Sequence, residues 1–148
     1  MISGRAFLTL AEVWSRGDSE AEWRSAISRA YYAAFHECRA LLSGFGFVVP
    51  RADLAHAFLW RRLENCGVTK LASVGSQLGV LRRERNQADY DLHLTISQDT
   101  SLRAVTSAVK IINALDALSS EDHRLATEAM KTYERDVLRE TTWRNRPR

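Results

Sequence analysis

Only two prolines and seven glycines occur in 148 residues, so the chain has little of the material that makes tight turns and bounds strands. Apolar periodicity points to helices instead. Leu102, Val105, Val109, Ile112 and Leu115 recur every three or four residues, the mark of one buried helical face. Such spacing predicts about five to six helices. The first four run from about Gly4 to Arg16, Glu20 to Ser43, Ala52 to Asn65 and Val68 to Tyr90. A fifth is capped by Ser97 and a sixth opens at Ser119 or Ser120, turning Leu125, Ala126, Ala129, Met130, Tyr133 and Val137 inward. Ser19-x-x-Glu22 has the form of a capping box, and Gly67 suits a left-handed cap. Gly75 and Gly79 mark either irregularity or close helix contact. The expected fold is all-α: one helical bundle over residues 1–142, followed by a basic tail at 143–148.

Composition narrows the function classes. With 45% hydrophobic and 26% charged residues the chain reads as an ordinary globular protein. No apolar run approaches the roughly 18–20 residues of a membrane span, and no secretory leader is expected at the N-terminus. Cys38 and Cys66, read as helical, are too few for a disulfide scaffold, which points to a reducing cytoplasm. A net charge of +3 does not coat nucleic acid by bulk charge. Positive charge is instead concentrated at Arg61-Arg62, at Arg82-Arg83-Arg85 and in the tail from Trp143 to Arg148. Such clusters are either local phosphate sites or solvated helix faces.

One helix carries an anomaly. Leu71, Val74, Leu78 and Leu81 share an apolar stripe, and its next position is Arg85, followed by Ala88 and Asp89. A guanidinium stands where a core leucine belongs. Taking it from water costs several kcal/mol unless it is paired, and Asp89 one turn later is a same-face partner. The second helix offers a complementary row: Ser28, Tyr32, His36 and Arg39 lie along one line, with Arg29 beside them. These residues snorkel at a helix edge or, with Arg85 and Asp89, form a polar site.

Other chemistry lacks its pattern. No pair of His or Cys has the helical spacing of metal ligands, so no metal and no cofactor is expected. There is no Gly-x-Ser-x-Gly elbow, Walker loop or GxGxxG. His56 and His123 read as structural or exposed.

Ile27-Ser28-Arg29-Ala30-Tyr31-Tyr32-Ala33-Ala34-Phe35-His36, followed about fifty residues later by Arg85-Asn86-Gln87-Ala88-Asp89-Tyr90, resembles the HEPN family over roughly Glu20 to Leu118. The resemblance implies an all-α bundle that commonly dimerises. It implies an RNA or nucleotide ligand, a toxin–antitoxin or defence setting, and a nucleotidyltransferase-like antitoxin as partner. The family's ribonuclease signature is Arg, four to six intervening residues, then His, often with a polar residue directly after the Arg. Arg85 and Asn86 match its start, but Tyr90 stands after four residues and the next histidine, His93, only after seven.

Three functions are therefore weighed. In a binding module, Ser28, Arg29, Tyr32, Asn86, Asp89 and Tyr90 hold RNA or nucleotide phosphate together with Arg85 and His36. In a metal-independent endoribonuclease, Arg85 stabilises phosphate charge while His36 or His93 carries the proton, since tyrosine is a poor base at neutral pH. In a non-catalytic protein-interaction module, Arg85–Asp89 is only a structural ion pair. Trp14, Trp23, Phe45, Phe47 and Trp60 are many large apolar groups for a small bundle; core packing is expected for Trp14 and Trp23, and an intersubunit patch is open to the others.

Overall fold

A computed structural model describes residues 1–145. Its helices are α1 (Arg5–Ser15), α2 (Glu20–Phe45), α3 (Leu54–Glu64), α4 (Thr69–Tyr90), α5 (Gln98–Asp116) and α6 (Ser120–Tyr133), the last running into a π-helical turn at Glu134–Leu138. Among the described residues there is no β-strand, only an isolated antiparallel bridge between Phe47 and Trp143. The fold is all-α, as expected.

Helix ends follow from local chemistry. Ser19 Oγ accepts from the Glu22 amide and donates to its carboxylate, and Ser119 with Asp122 closes a full capping box on α6. Ser97 Oγ accepts from the Thr100 amide at the start of α5. α2 continues past Ser43 to Phe45 because the reversal falls at Gly46, whose φ of +110° a side chain rarely adopts. α3 begins at Leu54 rather than Ala52, which sits at a left-handed φ of +55°. Cys66 lies in the turn after α3, not inside a helix, and burial pushes its thiol pKa up.

Two compact units compose the chain: Met1–Glu37 with Gln77–Asn113, and Cys38–Ser76 with Ala114–Arg148. The first has a core rich in small and medium side chains, among them Ala11, Ala26, Ile27, Ala30, Ala34, Leu78, Leu81, Ala108 and Ile111, around the larger Tyr31 and Phe35. Small residues allow backbones to approach: a Cβ on Gly4 would stand 2.8 Å from the His36 Cβ, so α1 lies directly on α2. Trp14 and Trp23, expected in the core, are only half-buried; the Trp23 indole N–H donates to the Gly17 carbonyl at 2.8 Å, which keeps it at the edge.

The second unit packs Leu42, Phe47, Leu59, Leu63, Leu71, Val74 and Met130. Of its neighbours in the expected aromatic patch, Phe47 is fully buried while Phe45 and Trp60 are half-buried. Gly75 marks close contact, since a Cβ there would meet the Leu63 Cβ at 2.9 Å. The inward face of the last helix differs from expectation. Leu125 and Val137 are exposed, and the buried row is Ala126, Met130 and Glu134. The face is turned toward Glu134 because its carboxylate meets buried Arg62, whose Nε and Nη2 donate to Oε2 at 2.8 and 2.6 Å. Arg62 is thus no solvated helix face. Thr142–Arg144 run extended beside residues 46–48, with the Val48 amide donating to Thr142 and the Arg144 amide to Gly46. The Trp143 indole N–H donates to the Phe45 carbonyl at 2.8 Å. Trp143 and Arg144 of the expected tail are docked; Arg146, Pro147 and Arg148 lie outside the described residues.

Candidate functional site

All the polar residues singled out on α2 and α4, except Arg39, fall within the first unit. The α4 stripe is buried through Leu81 and again at Ala88, and Arg85 lies on it with a side chain 14% exposed. Its Nε sits 2.9 Å from Asp89 Oδ2, an ion pair without the in-line direction of a hydrogen bond. Nη2 donates to the Tyr32 hydroxyl at 2.8 Å and more weakly to the Tyr90 hydroxyl at 3.5 Å. Nη1 donates to the Asn86 side-chain oxygen at 2.9 Å, leaving its other N–H without an acceptor among the described residues. The guanidinium carbon lies 5.1 and 5.3 Å from the centres of the Tyr32 and Tyr90 rings.

From α2, buried Ser28 completes the arrangement by donating to Asp89 Oδ2 at 3.0 Å. Arg29 stands one residue on. Its guanidinium lies 5.3 Å from the Phe7 ring centre and 5.1 Å from that of Tyr32, and donates only a long bond, 3.4 Å, to the Ser28 hydroxyl. No carboxylate pairs with it among the described residues. Arg85 is therefore the neutralised cation of the site and Arg29 the available one. Sequence reasoning placed them the other way round in importance, because helical spacing reveals same-face partners but not which cation stays unpaired.

The structure brings Ser28, Arg29, Tyr32, Arg85, Asn86, Asp89 and Tyr90 together. His36 stacks its ring on Phe7 at 5.5 Å, with the Tyr32 ring centre 6.2 Å away. Arg39 turns elsewhere and donates to the carbonyls of Pro50 and Val49. His93 lies exposed in the turn after α4 and engages no side chain among the described residues. Tyr90, at the signature's histidine position, is 71% exposed at the helix end. Among the described residues no group of three or more His, Cys, Asp or Glu comes together to hold a metal ion. No helix there is long and apolar enough to cross a membrane.

Arg24 escaped the sequence reading, and Arg62 entered it only as part of a basic cluster. Arg24 donates to the carbonyls of Gln87, Ala88, Asp91 and Leu94, tying down the C-terminal end of α4 that carries Tyr90. Glu20 supports it from one turn earlier and also accepts from the Ile96 amide, which together hold its carboxyl below the usual range. Nothing in the spacing of Arg24 foretells bonds to a distant turn. Arg62 did leave a signal: it neighbours Leu59 and Leu63 on a buried face, and Glu134 follows Ala126 and Met130 at intervals of four.

Compared with known families, residues 5–118 match the HEPN domain model. The chain belongs to the HEPN domain family. The match starts earlier than the resemblance at Glu20 suggested and takes in α1, whose Phe7 lies under His36 and Arg29. HEPN membership makes this a module related to nucleases and RNA. No curated protein and no solved structure matches the chain.

Proposed function

We propose that this HEPN domain binds single-stranded RNA through its phosphates, with Arg29 and the free edge of Arg85 as the cations and Tyr90 as a stacking platform, and that it does not cleave the strand. The observation that carries this reading is Arg29: a guanidinium without an acid partner among the described residues, held over Phe7 and Tyr32 beside the Arg85–Asp89 pair. A cation positioned by aromatic faces keeps its charge for an incoming phosphate, and an exposed tyrosine adds sequence-tolerant stacking. Asp89 and Ser28 hold Arg85 in place, and Arg85 in turn orients the Tyr32 and Tyr90 hydroxyls. Tyr90 in place of the signature histidine argues for binding without catalysis. Homodimerisation, a nucleotidyltransferase-like antitoxin, a toxin–antitoxin or defence role and a cytoplasmic setting belong to the same reading.

The test is fluorescence anisotropy with a labelled RNA dodecamer at low salt in chelator. Arg29→Ala should weaken binding about tenfold and flatten the log K against log salt slope by about 0.7, the loss of one phosphate contact on a single strand. Its melting temperature should match the wild type. Equal affinity of the two proteins would reject the site, and time-dependent cleavage of the labelled strand would reject the non-catalytic reading.

A further inference from the structure

Beside Arg29 a cleft of about 400 Å³ opens between Phe7, Leu10 and Trp14 of α1 on one side and Ser25, Arg29 and Asp89 on the other. That volume falls within the roughly 300–1,000 Å³ of small-ligand clefts. Its polar side is asymmetric. Asp89 spends Oδ2 on Ser28 and Arg85, while Oδ1 has no partner among the described residues. Arg29 offers donors only, and Ser25 carries a hydroxyl with no partner there either. A half-exposed tryptophan stands on the apolar side.

We propose that this cleft is a base-reading subsite selecting guanine, with Asp89 Oδ1 as the discriminating acceptor. This rests on the RNA-binding reading above and adds the identity of the base. Guanine places two donors, N1–H and N2–H, side by side on one edge, and an unpaired carboxylate oxygen is the complement of that pair. Cytosine and adenine put a ring-nitrogen lone pair beside their amine, and uracil flanks its single N–H with two carbonyl oxygens. Each of those lone pairs faces the carboxylate unfavourably. Trp14 supplies a ring for stacking, a contact that does not depend on the base.

The experiment compares affinities for oligouridine dodecamers that carry one central G, A, C or U. The unaltered protein should bind the G-containing strand about tenfold more tightly than the other three. In Asp89→Asn, where an amide presents a donor, the G-to-U affinity ratio should fall to within twofold. A ratio within one protein is unaffected by uniform losses. Leu10→Trp, which fills the cleft from exposed Leu10, should abolish the ratio in the same way. Displacement of bound RNA by guanosine but not adenosine monophosphate supports the subsite with free nucleotide as its source. A G preference that neither nucleotide disturbs supports it with an RNA strand as the source. Equal binding of all four strands, with Arg29→Ala still weakening each, overturns guanine selection and leaves RNA binding standing. A ratio that persists in both variants also overturns it. No binding of any strand removes both proposals.

Discussion

Arg62 and Arg85 each face a carboxylate from a buried helical stripe, one in each unit, and they end in opposite states. Arg62 is fully buried. Its Nε and Nη2 donate to Glu134, Nη2 also to Glu140, Nη1 to the Phe58 carbonyl, and its guanidinium carbon lies 3.5 Å from the Phe58 ring centre. Glu134 is equally occupied, accepting from the Thr142 amide and hydroxyl as well. Arg85 has one carboxylate partner, an off-line ion pair, two phenols and an N–H to spare. A saturated buried ion pair anchors chain segments; here it ties α3 to the turn after α6. An incompletely satisfied one at a surface, next to an Arg29 with no acid partner among the described residues, retains capacity for a ligand. Satisfaction, rather than the presence of a buried charge, separates the structural arginine from the one proposed to face a ligand.

The contrast is easiest to break at Arg62. Arg62→Ala should cost about 3–5 kcal/mol, measured by urea unfolding, since it strands the Glu134 charge in the interior. Joint replacement by Arg62→Met and Glu134→Leu should recover most of that loss, because burying a pair gains little over burying apolar groups of similar size. A double variant as unstable as the single would mean that the segment from Thr142 to Trp143 needs the carboxylate itself. Arg85→Ala should cost less, about 1–3 kcal/mol, because its neighbours are partly exposed and recover water. It should also lower RNA affinity more than its stability loss explains. If Arg85 and Asp89 replaced together by apolar residues left RNA affinity intact, the two arginines would be alike and the distinction would fail.

The smallest expected effect belongs to Glu84, half-buried beside Arg85 and without a hydrogen bond among the described residues. Burial pushes its carboxyl pKa above the ordinary 4.5, despite nearby Arg103 and Arg83. Folding therefore disfavours its ionised form. The penalty is fully present above the raised folded value, shrinks as pH falls through it, and is gone below the unfolded one. Glu84→Gln should raise the melting temperature slightly at pH 7, and the gain should vanish on acidification below about pH 4.5. A gain that is independent of pH would point to packing instead of charge.

Much of this is legible in the residues alone. Scarce proline and glycine, apolar rows at three- and four-residue spacing and serine caps at Ser19, Ser97 and Ser119 were enough for an all-α chain with helices close to those observed. The stripe from Leu71 to Leu81 placed Arg85 inward with Asp89 as its partner, because both lie on one element and helical geometry links them directly. Ends set by backbone conformation were harder. The reversal at Gly46 and the left-handed Ala52 depend on how the chain is pulled across the second unit, so α2 ran longer and α3 started later than spacing implied.

What sequence alone determined is whatever one helix can decide by itself: its period, its caps and its same-face pairs. Tertiary structure decided which charges found partners far along the chain. Arg24 reaching four carbonyls at the end of α4 and in the turn after it, Arg62 meeting Glu134, and Arg29 left between two aromatic rings with no acid among the described residues all depend on which helix faces meet. Desolvation makes such pairings strong and selective, yet it acts only once the helices have packed, and no local pattern records it.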